Sequence, residues 1–223
     1  MVSVTVERLT TPRGELVLRR DGEHHEIVSN GVFLMDTRGG RSERELVRAA
    51  LRTAPAGARV LIGGLGVGFS LAEALRSPAV AAVTVLEIEP AVVRWNRTLF
   101  GADLVDPRVT VVVDDLRAWL RAGADRYDAV CLDVDNGPEW TVTDANGALY
   151  GGAGLDALDG RLAPGGTLAV WSANGTPVFE QRLRRRYRTV EVIEIPVARG
   201  EPDVVYVARW SLAGSSSAPP RSR

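Results

Sequence analysis

The sequence predicts a doubly wound α/β sheet, and three observations predict it. Short apolar runs without polar alternation recur from residue 60 onward, as in strands buried on both faces. Segments with apolar residues at helical spacing separate them, as parallel strands require. Between the first two of these strands stands a glycine turn, Gly63-Gly64-Leu65-Gly66-Val67-Gly68, which opens directly into a helical pattern. Strand, tight turn, helix, strand brings backbone close to a ligand at the carboxyl end of the first strand.

Residues 1–36 precede this core and read as short strands. Val2, Val4 and Val6 alternate with polar partners, a turn at Pro12-Arg13-Gly14 leads to Leu16 and Leu18, and Asn30-Gly31 between apolar pairs is a hairpin signal. His24 and His25 are adjacent, so on a strand they face opposite sides and cannot share a metal. Ser42, with Glu45 three residues on, reads as a capping box for a helix whose stripe is Leu46, Val47, Ala50 and Leu51. Pro55-Ala56-Gly57 ends it. The first core strand holds Val60 to Ile62, and its helix runs from Phe69 to Leu75. The second strand closes at Glu87, and Pro90 starts a helix carrying Val92, Val93, Trp95 and Leu99. Residues 109–113 are a third strand, ended by Asp114-Asp115, and Leu116, Trp119 and Leu120 mark the next helix. Residues 127–132 are a fourth strand, ended by Asp133-Val134-Asp135-Asn136-Gly137-Pro138. A polar, glycine-rich segment follows to Gly154, then a helix from Leu155 to Leu162. A turn at Ala163-Pro164-Gly165-Gly166 leads to a fifth strand ending at Trp171. Residues 179–187 are helical, and 190–195 with 204–207 read as a closing antiparallel pair. The expected organisation is an N-terminal strand and hairpin region over 1–36, a Rossmann-like ligand-binding domain over 37–212, and a small polar disordered tail over 213–223.

Ligands of such sheets lie beyond the carboxyl ends of the strands. Five consecutive strands here deliver glycine or polar residues to that edge: the glycine turn, Glu87, Asp114-Asp115, the segment 133–138 and the segment 171–174. Glu87 lies a little over ~20 residues after the glycines, where a ribose-binding carboxylate is expected. The glycines read G-x-G-x-G, and Phe69 stands where the dinucleotide fingerprint wants a small residue. This form points to S-adenosylmethionine rather than to a dinucleotide. Candidate cofactor contacts are Gly63, Gly64, Leu65, Gly66, Gly68, Glu87, Ile88, Asp114, Asp115, Leu116 and Asp133.

Composition narrows the partners. The 223 residues carry 27 basic and 28 acidic side chains, a formal net charge of -1, so a chain-wide basic field for nucleic acid is absent. Every basic residue other than histidine is arginine, which removes lysine as a nucleophile or base. The basic run from Arg182 to Arg188 reads as the solvated face of one helix. The single cysteine, Cys131, sits in an apolar run, so an intrachain disulfide is impossible and a thiolate metal site implausible. No apolar run reaches ~18 residues and no signal-peptide core opens the chain, so neither membrane nor export is expected and the compartment is the cytoplasm. The expected partner is a small-molecule acceptor, and a second copy of the chain is admissible.

Over most of residues 15–210 the sequence resembles the class I S-adenosylmethionine-dependent methyltransferase fold and, within it, the spermidine synthase family. The matching pieces are Asn30-Gly31-Val32-Phe33-Leu34-Met35, the glycine turn, Leu86-Glu87-Ile88-Glu89, Asp114-Asp115, Tyr127-Asp128-Ala129-Val130-Cys131-Leu132-Asp133 and Leu162-Ala163-Pro164-Gly165-Gly166. The resemblance implies a seven-stranded Rossmann-like sheet. It also implies that Glu87 holds the ribose hydroxyls, that Asp114 or Asp115 reads the adenine amino group, and that the 133–138 loop faces the transferred group. Three departures stand out. Polyamine-making members carry an Asp where this chain has Gly66, facing the amine end of decarboxylated S-adenosylmethionine; without it the carboxylated cofactor is admissible. Their Tyr-His pair before the core is matched only by Ser42-Glu43, and an Asp of their catalytic loop is replaced by Asn136, whose amide cannot take up a proton. The run Asp133-Val134-Asp135-Asn136 also looks like the Asp-x-Asp stretch of metal-dependent catechol-type O-methyltransferases. Trp171-Ser172-Ala173-Asn174 lacks the second Asp-Asn pair that such a metal needs, so none is expected.

Methyl transfer from S-adenosylmethionine to a small molecule is therefore the leading expectation. Aminopropyl transfer from decarboxylated S-adenosylmethionine to a diamine is the alternative, and a non-catalytic nucleoside-binding module the second. Asp135 is the first candidate base, because it lies two residues beyond the strand end; Asp133 and Glu139 follow. Asn136, Trp140, Tyr150 and Trp171 are the candidate walls of the acceptor pocket.

Overall fold

The computed structural model describes residues 3–134, 136–139, 144–198 and 200–210. The N-terminal strands β1 (Val4–Thr11), β2 (Gly14–Asp21), β3 (His24–Ser29) and β4 (Val32–Asp36) form an antiparallel sheet of their own, in that order. Asn30 takes φ 51 in the tight turn between β3 and β4, a conformation that asparagine tolerates better than most side chains. Leu16, Leu18 and Ile27 alternate onto one face and pack against the main core.

The main body then alternates as the sequence predicts: α1 (Arg41–Leu51), β5 (Ala58–Gly63), α2 (Phe69–Arg76), β6 (Val80–Glu87), α3 (Pro90–Trp95), β7 (Val109–Val113), α4 (Leu116–Ala122) and β8 (Tyr127–Leu132). A 3-10 turn (Asp144–Tyr150), α5 (Gly152–Arg161), β9 (Leu162–Ser172), α6 (Pro177–Arg186), β10 (Thr189–Ile195) and β11 (Asp203–Arg209) complete it. The seven strands lie in the order β10-β11-β9-β8-β5-β6-β7. β5 pairs in parallel with both β6 and β8, whereas β11 is antiparallel to β9 and β10. The chain reverses its direction of travel across the sheet between β5 and β8. That is the switch point where a crevice opens, and the glycine turn follows β5 there.

Side-chain period two builds the core. Val60 and Ile62 of β5 face one helix layer and Leu61 the other, while Ala129 and Cys131 of β8 oppose Val130 and Leu132. Full burial of each large aliphatic residue is worth roughly 1.5–3 kcal/mol, which is why the central strands carry no polar alternation.

Local expectations change in three places. Ser42 does not cap α1: Gly40 takes the left-handed conformation at that end, and the Ser42 hydroxyl is drawn instead to Asp203 at 2.6 Å. A tertiary partner outcompetes the local capping bond. The turn at residues 163–166 lies inside β9, where the pairing with β8 shifts register between Tyr127 and Ala129. The helix after Pro90 is short, and residues 96–100 continue it as a π turn. Most of the basic run on α6 is bonded within the chain: Arg182 donates to the Tyr150 carbonyl, Arg184 pairs with Glu180 and Arg186 with Asp156 and Asp159. The expected tail over 213–223 lies outside the described residues. Among those described, no helix is long and apolar enough to cross a membrane.

Candidate functional site

A cavity of about 1590 Å³ opens along the carboxyl edge of the parallel strands. Clefts for one small ligand commonly hold about 300–1,000 Å³, so this one has room for two. Sheet order sets its layout. The ends of β6 and β7 wall one side with Glu87, Ile88, Asp114 and Asp115. Gly64, Gly66 and Asp133 lie in the middle, where β5 and β8 end. Trp171, the segment 195–198 and Asp203 wall the far side. The N-terminal sheet contributes Met35 and the turn after β1.

The glycine turn is a place of close approach. Gly64 has φ 93, and a Cβ there would fall 2.0 Å from the Asp133 carbonyl oxygen. Gly66 has φ 51, and a Cβ there would meet Met35 Sδ at 2.3 Å. Asn96, wholly buried at the start of the π turn, donates from Nδ2 to the Gly66 carbonyl at 2.7 Å and so braces the turn from behind.

Glu87 is buried and held by backbone. Its Oε1 accepts from Glu89 N at 2.8 Å and its Oε2 from Leu65 N at 3.0 Å. Burial raises its pKa and these N–H groups oppose the rise. A carboxylate offers about four lone-pair sites, so Glu87 retains capacity for a ligand hydroxyl. The neighbouring Asp pair separates in role. Asp115 caps α4 through Arg117 N at 2.8 Å and pairs with the Arg117 guanidinium, which lowers its pKa. Asp114 is exposed on the cavity wall. Of the two carboxylates, Asp114 is the one not committed to a cap.

Three further carboxylates line the cavity, Glu43, Asp133 and Asp203. Asp133, at the end of β8, accepts from Ser70 Oγ at 3.0 Å. Glu43 of α1 and Asp203 of β11 are bridged by Ser42 Oγ, at 3.0 and 2.6 Å. Among the described residues none of the three has an arginine in an ion pair. Burial raises the pKa of each, and repulsion from neighbouring carboxylates adds to it at Glu43 and Asp133: Asp133 is pushed up to about 7 by burial first, then by Glu43, Asp203 and Glu87. Among the described residues no group of acidic, histidine or cysteine side chains is arranged to hold a metal.

The candidates read from sequence distribute as follows. Gly64, Gly66, Glu87, Ile88, Asp114, Asp115, Leu116, Asp133, Asn136 and Trp171 line the cavity. Leu65 acts through its backbone N–H, and Gly63 and Gly68 shape the turn without facing the cavity. Tyr150 is misplaced by the sequence reading. It is buried edge-on against Phe179 and supports the Val134 carbonyl with its hydroxyl, while Leu149 beside it lines the cavity. Glu139 is exposed and does not line the cavity. Asp135 and Trp140 lie outside the described residues. Sequence reasoning misses Asp203, and it notes Glu43 only as a departure from a motif.

Comparison with known proteins bears on this arrangement. The family profile described as Spermine/spermidine synthase domain matches residues 41–182. Polyamine aminopropyltransferase 1 of Streptomyces coelicolor is 33% identical over 160 residues, covering 69% of this chain and 29% of the relative. Putrescine N-methyltransferase 2 of Nicotiana attenuata is 35% identical over 149 residues, covering 65% of this chain and 39% of the relative. The chain thus spans about a third of the length of the curated relatives it matches. A crystal structure of a spermidine synthase in complex with the transition state analogue AdoDATO superposes with a TM-score of 0.78 at 15% identity, covering 94% of this chain and 75% of that one. At that identity the likeness speaks for the fold.

Proposed function

The chain belongs to the spermine/spermidine synthase family, and from that premise we propose that it transfers an alkyl group from an S-adenosylmethionine-type donor to the nitrogen of an amine, aminopropyl transfer being the leading reaction. The departures at Gly66 and Asn136 put methyl transfer first; the family and the polyamine relatives reverse that order. The observation that carries the proposal is the set Glu43, Asp133 and Asp203, three carboxylates on the acceptor wall, none of them in an ion pair among the described residues. Such a wall stabilises an ammonium. It favours a cationic acceptor over a phenol, whose ionised form would place a further negative charge beside Glu43 and Asp203.

The residues fit a sulfonium donor. Glycine backbone lets the ligand approach the sheet edge, Glu87 can receive the ribose hydroxyls, and Asp114 stands where the base would end. Bound there, the donor would supply an electrophilic carbon whose leaving group is a neutral thioether. The chain's own task is to orient the acceptor and remove a proton. Glu43 and Asp203, fixed by Ser42, hold the ammonium end. Asp133, between the glycine turn and that pair, takes the proton that nitrogen must lose before it can attack. Its raised pKa brings it nearer to an amine than an ordinary carboxylate would be.

Product analysis tests this. With putrescine and decarboxylated S-adenosylmethionine, release of 5′-methylthioadenosine is expected. Turnover with phenols but not with amines would sink the proposal.

Methyl transfer to an amine is the second reading, favoured by Gly66. Met35 Sδ fills the space beside Gly66, so the donor's tail meets a thioether there and no carboxylate repels an ordinary S-adenosylmethionine. S-adenosylhomocysteine is therefore expected to bind at least as well as its decarboxylated counterpart. Gly66→Asp needs Met35 to move, so it is best made with Met35→Ala. The pair should shift preference toward the decarboxylated ligand by about tenfold. Strong preference of the unaltered protein for the decarboxylated ligand, read by calorimetry, would discard this second reading.

Glu87→Ala is expected to weaken S-adenosylhomocysteine binding at least ~10-fold, since each charge-assisted bond to a ribose hydroxyl is worth roughly 1.5–3 kcal/mol. Unchanged affinity in a folded variant would remove Glu87 from the nucleoside site.

A further inference from the structure

The turn between β1 and β2 carries a cation into the nucleoside end of the cavity. Arg13 Nε donates to Glu89 Oε1 at 2.6 Å, and its Nη2 to the Ile88 carbonyl at 3.0 Å. Thr11 Oγ1 donates to the same Glu89 oxygen at 3.1 Å. The turn is held from its other side by Asn30, whose Nδ2 donates to the Arg13 carbonyl at 3.0 Å and whose Oδ1 accepts from Glu15 N at 2.8 Å. The contact therefore spans two sheets: a rigid hairpin of the first reaches to the end of β6 in the second. Thr11, Arg13, Glu87, Ile88 and Glu89 all line the same cavity.

The charges there are unevenly matched. Glu87 and Glu89 stand two residues apart, and Glu89 works against the ionised form of Glu87. Asp133 from the end of β8 and Asp115 from the end of β7 add negative charge around them. Arg13 is the cation that reaches Glu89, while Arg117 is drawn to Asp115.

We infer that Arg13 is a positioning residue for ribose recognition: by pairing with Glu89 it offsets the second carboxylate beside Glu87 and holds the hairpin turn over the nucleoside. This rests on the nucleoside reading of Glu87 given above. Without Arg13, the Glu89 charge is uncompensated and Glu87 keeps its proton to higher pH, so fewer molecules present the carboxylate that accepts ribose hydroxyls. Removing Glu89 as well removes the cause.

Calorimetry with 5′-methylthioadenosine tests this separately from donor tail and acceptor. The proteins compared are the unaltered chain, Arg13→Gln, Glu89→Gln and the double variant, between pH 6 and 9, with Arg13→Lys as the charge-keeping control. Arg13→Gln is expected to weaken binding about tenfold near neutral pH, with the loss shrinking as pH rises. Glu89→Gln should weaken it less, the double variant should recover most of the loss, and Arg13→Lys should retain most of the affinity. A contact that only pins the hairpin predicts equal losses in both single variants and no recovery in the double; that pattern, or unchanged binding by Arg13→Gln, overturns the inference alone. Absence of 5′-methylthioadenosine binding by the unaltered chain overturns the nucleoside reading and this inference with it.

Discussion

Replacing Asp133 with asparagine is expected to lower the transfer rate by about 10²–10⁴-fold, the usual loss when a general base is removed, with nucleoside affinity kept near that of the unaltered chain. The argument is geometric. Asp133 follows β8, its backbone N–H extends the ladder to the Gly63 carbonyl at 2.8 Å, and its side chain enters the cavity beside Ser70. Two pH effects of opposite sign follow from its pKa of about 7. As a base it must be ionised, so the rate should fall as pH drops through about 7. For stability, the unfolded value is about 3.9, so between those two values the folded chain holds a proton that the unfolded chain has lost. Stability from this group therefore declines as pH rises through that window and stays lowest above it. Asp133→Asn should thus melt higher than the unaltered protein at pH 8, with the difference closing toward pH 4. Lower activity with higher thermal stability is the signature of a base; a merely structural Asp133 would lose both. Asp135→Asn is the comparison, since the sequence alone ranks Asp135 first. Full turnover by Asp133→Asn beside a crippled Asp135→Asn would move the role to Asp135.

The parts of this site legible in the sequence are those that parallel strands present at their carboxyl ends. Gly64, Gly66, Glu87 and Asp133 close or follow buried apolar strands, Asp114 follows the apolar but half-exposed edge strand β7, and each lines the cavity. The carboxylates of the far wall are hidden from the sequence, Asp203 for a topological reason. β11 is antiparallel to β9, so its first residue, Asp203, reaches the same edge from the opposite chain direction. An acidic residue opening a final antiparallel strand is the signal that was available. Glu43 was masked by local chemistry: Ser42-Glu43-Arg44-Glu45 fits a capping box, and only the tertiary bond from Ser42 to Asp203 reveals otherwise. Tyr150 failed the other way, because an aromatic residue in a glycine-rich segment suits a lid as well as a core, and periodicity cannot separate the two. Arg13 sits in what reads as a local hairpin turn, and its partner lies 76 residues away.

Gly64→Ala is expected to abolish nucleoside binding and to lower the melting temperature by at least about 5 °C. Two costs combine. An alanine held at φ 93 bears a strain of about 1–3 kcal/mol. Its Cβ would also lie 2.0 Å from the Asp133 backbone oxygen, an atom that cannot rotate away. The ends of β5 and β8 would have to separate, breaking the bond from Asp133 N to the Gly63 carbonyl and displacing Asp133 from the cavity. For a chain of this size each kcal/mol corresponds to roughly 2–4 °C. Two other glycines divide the costs. Gly31→Ala has φ 79 but open space around the new Cβ, so it reports strain alone, at a residue that does not itself line the cavity. At Gly63 a new Cβ would meet side-chain atoms, Leu116 Cδ2 at 2.6 Å and Leu132 Cδ2 at 3.2 Å. These can shift, so Gly63→Ala should cost less than Gly64→Ala and leave nucleoside binding measurable. Melting curves and calorimetry with S-adenosylhomocysteine on the three variants decide the matter. If Gly64→Ala melts no lower than Gly31→Ala and still binds the nucleoside, the close approach of β5 and β8 is not what builds the site.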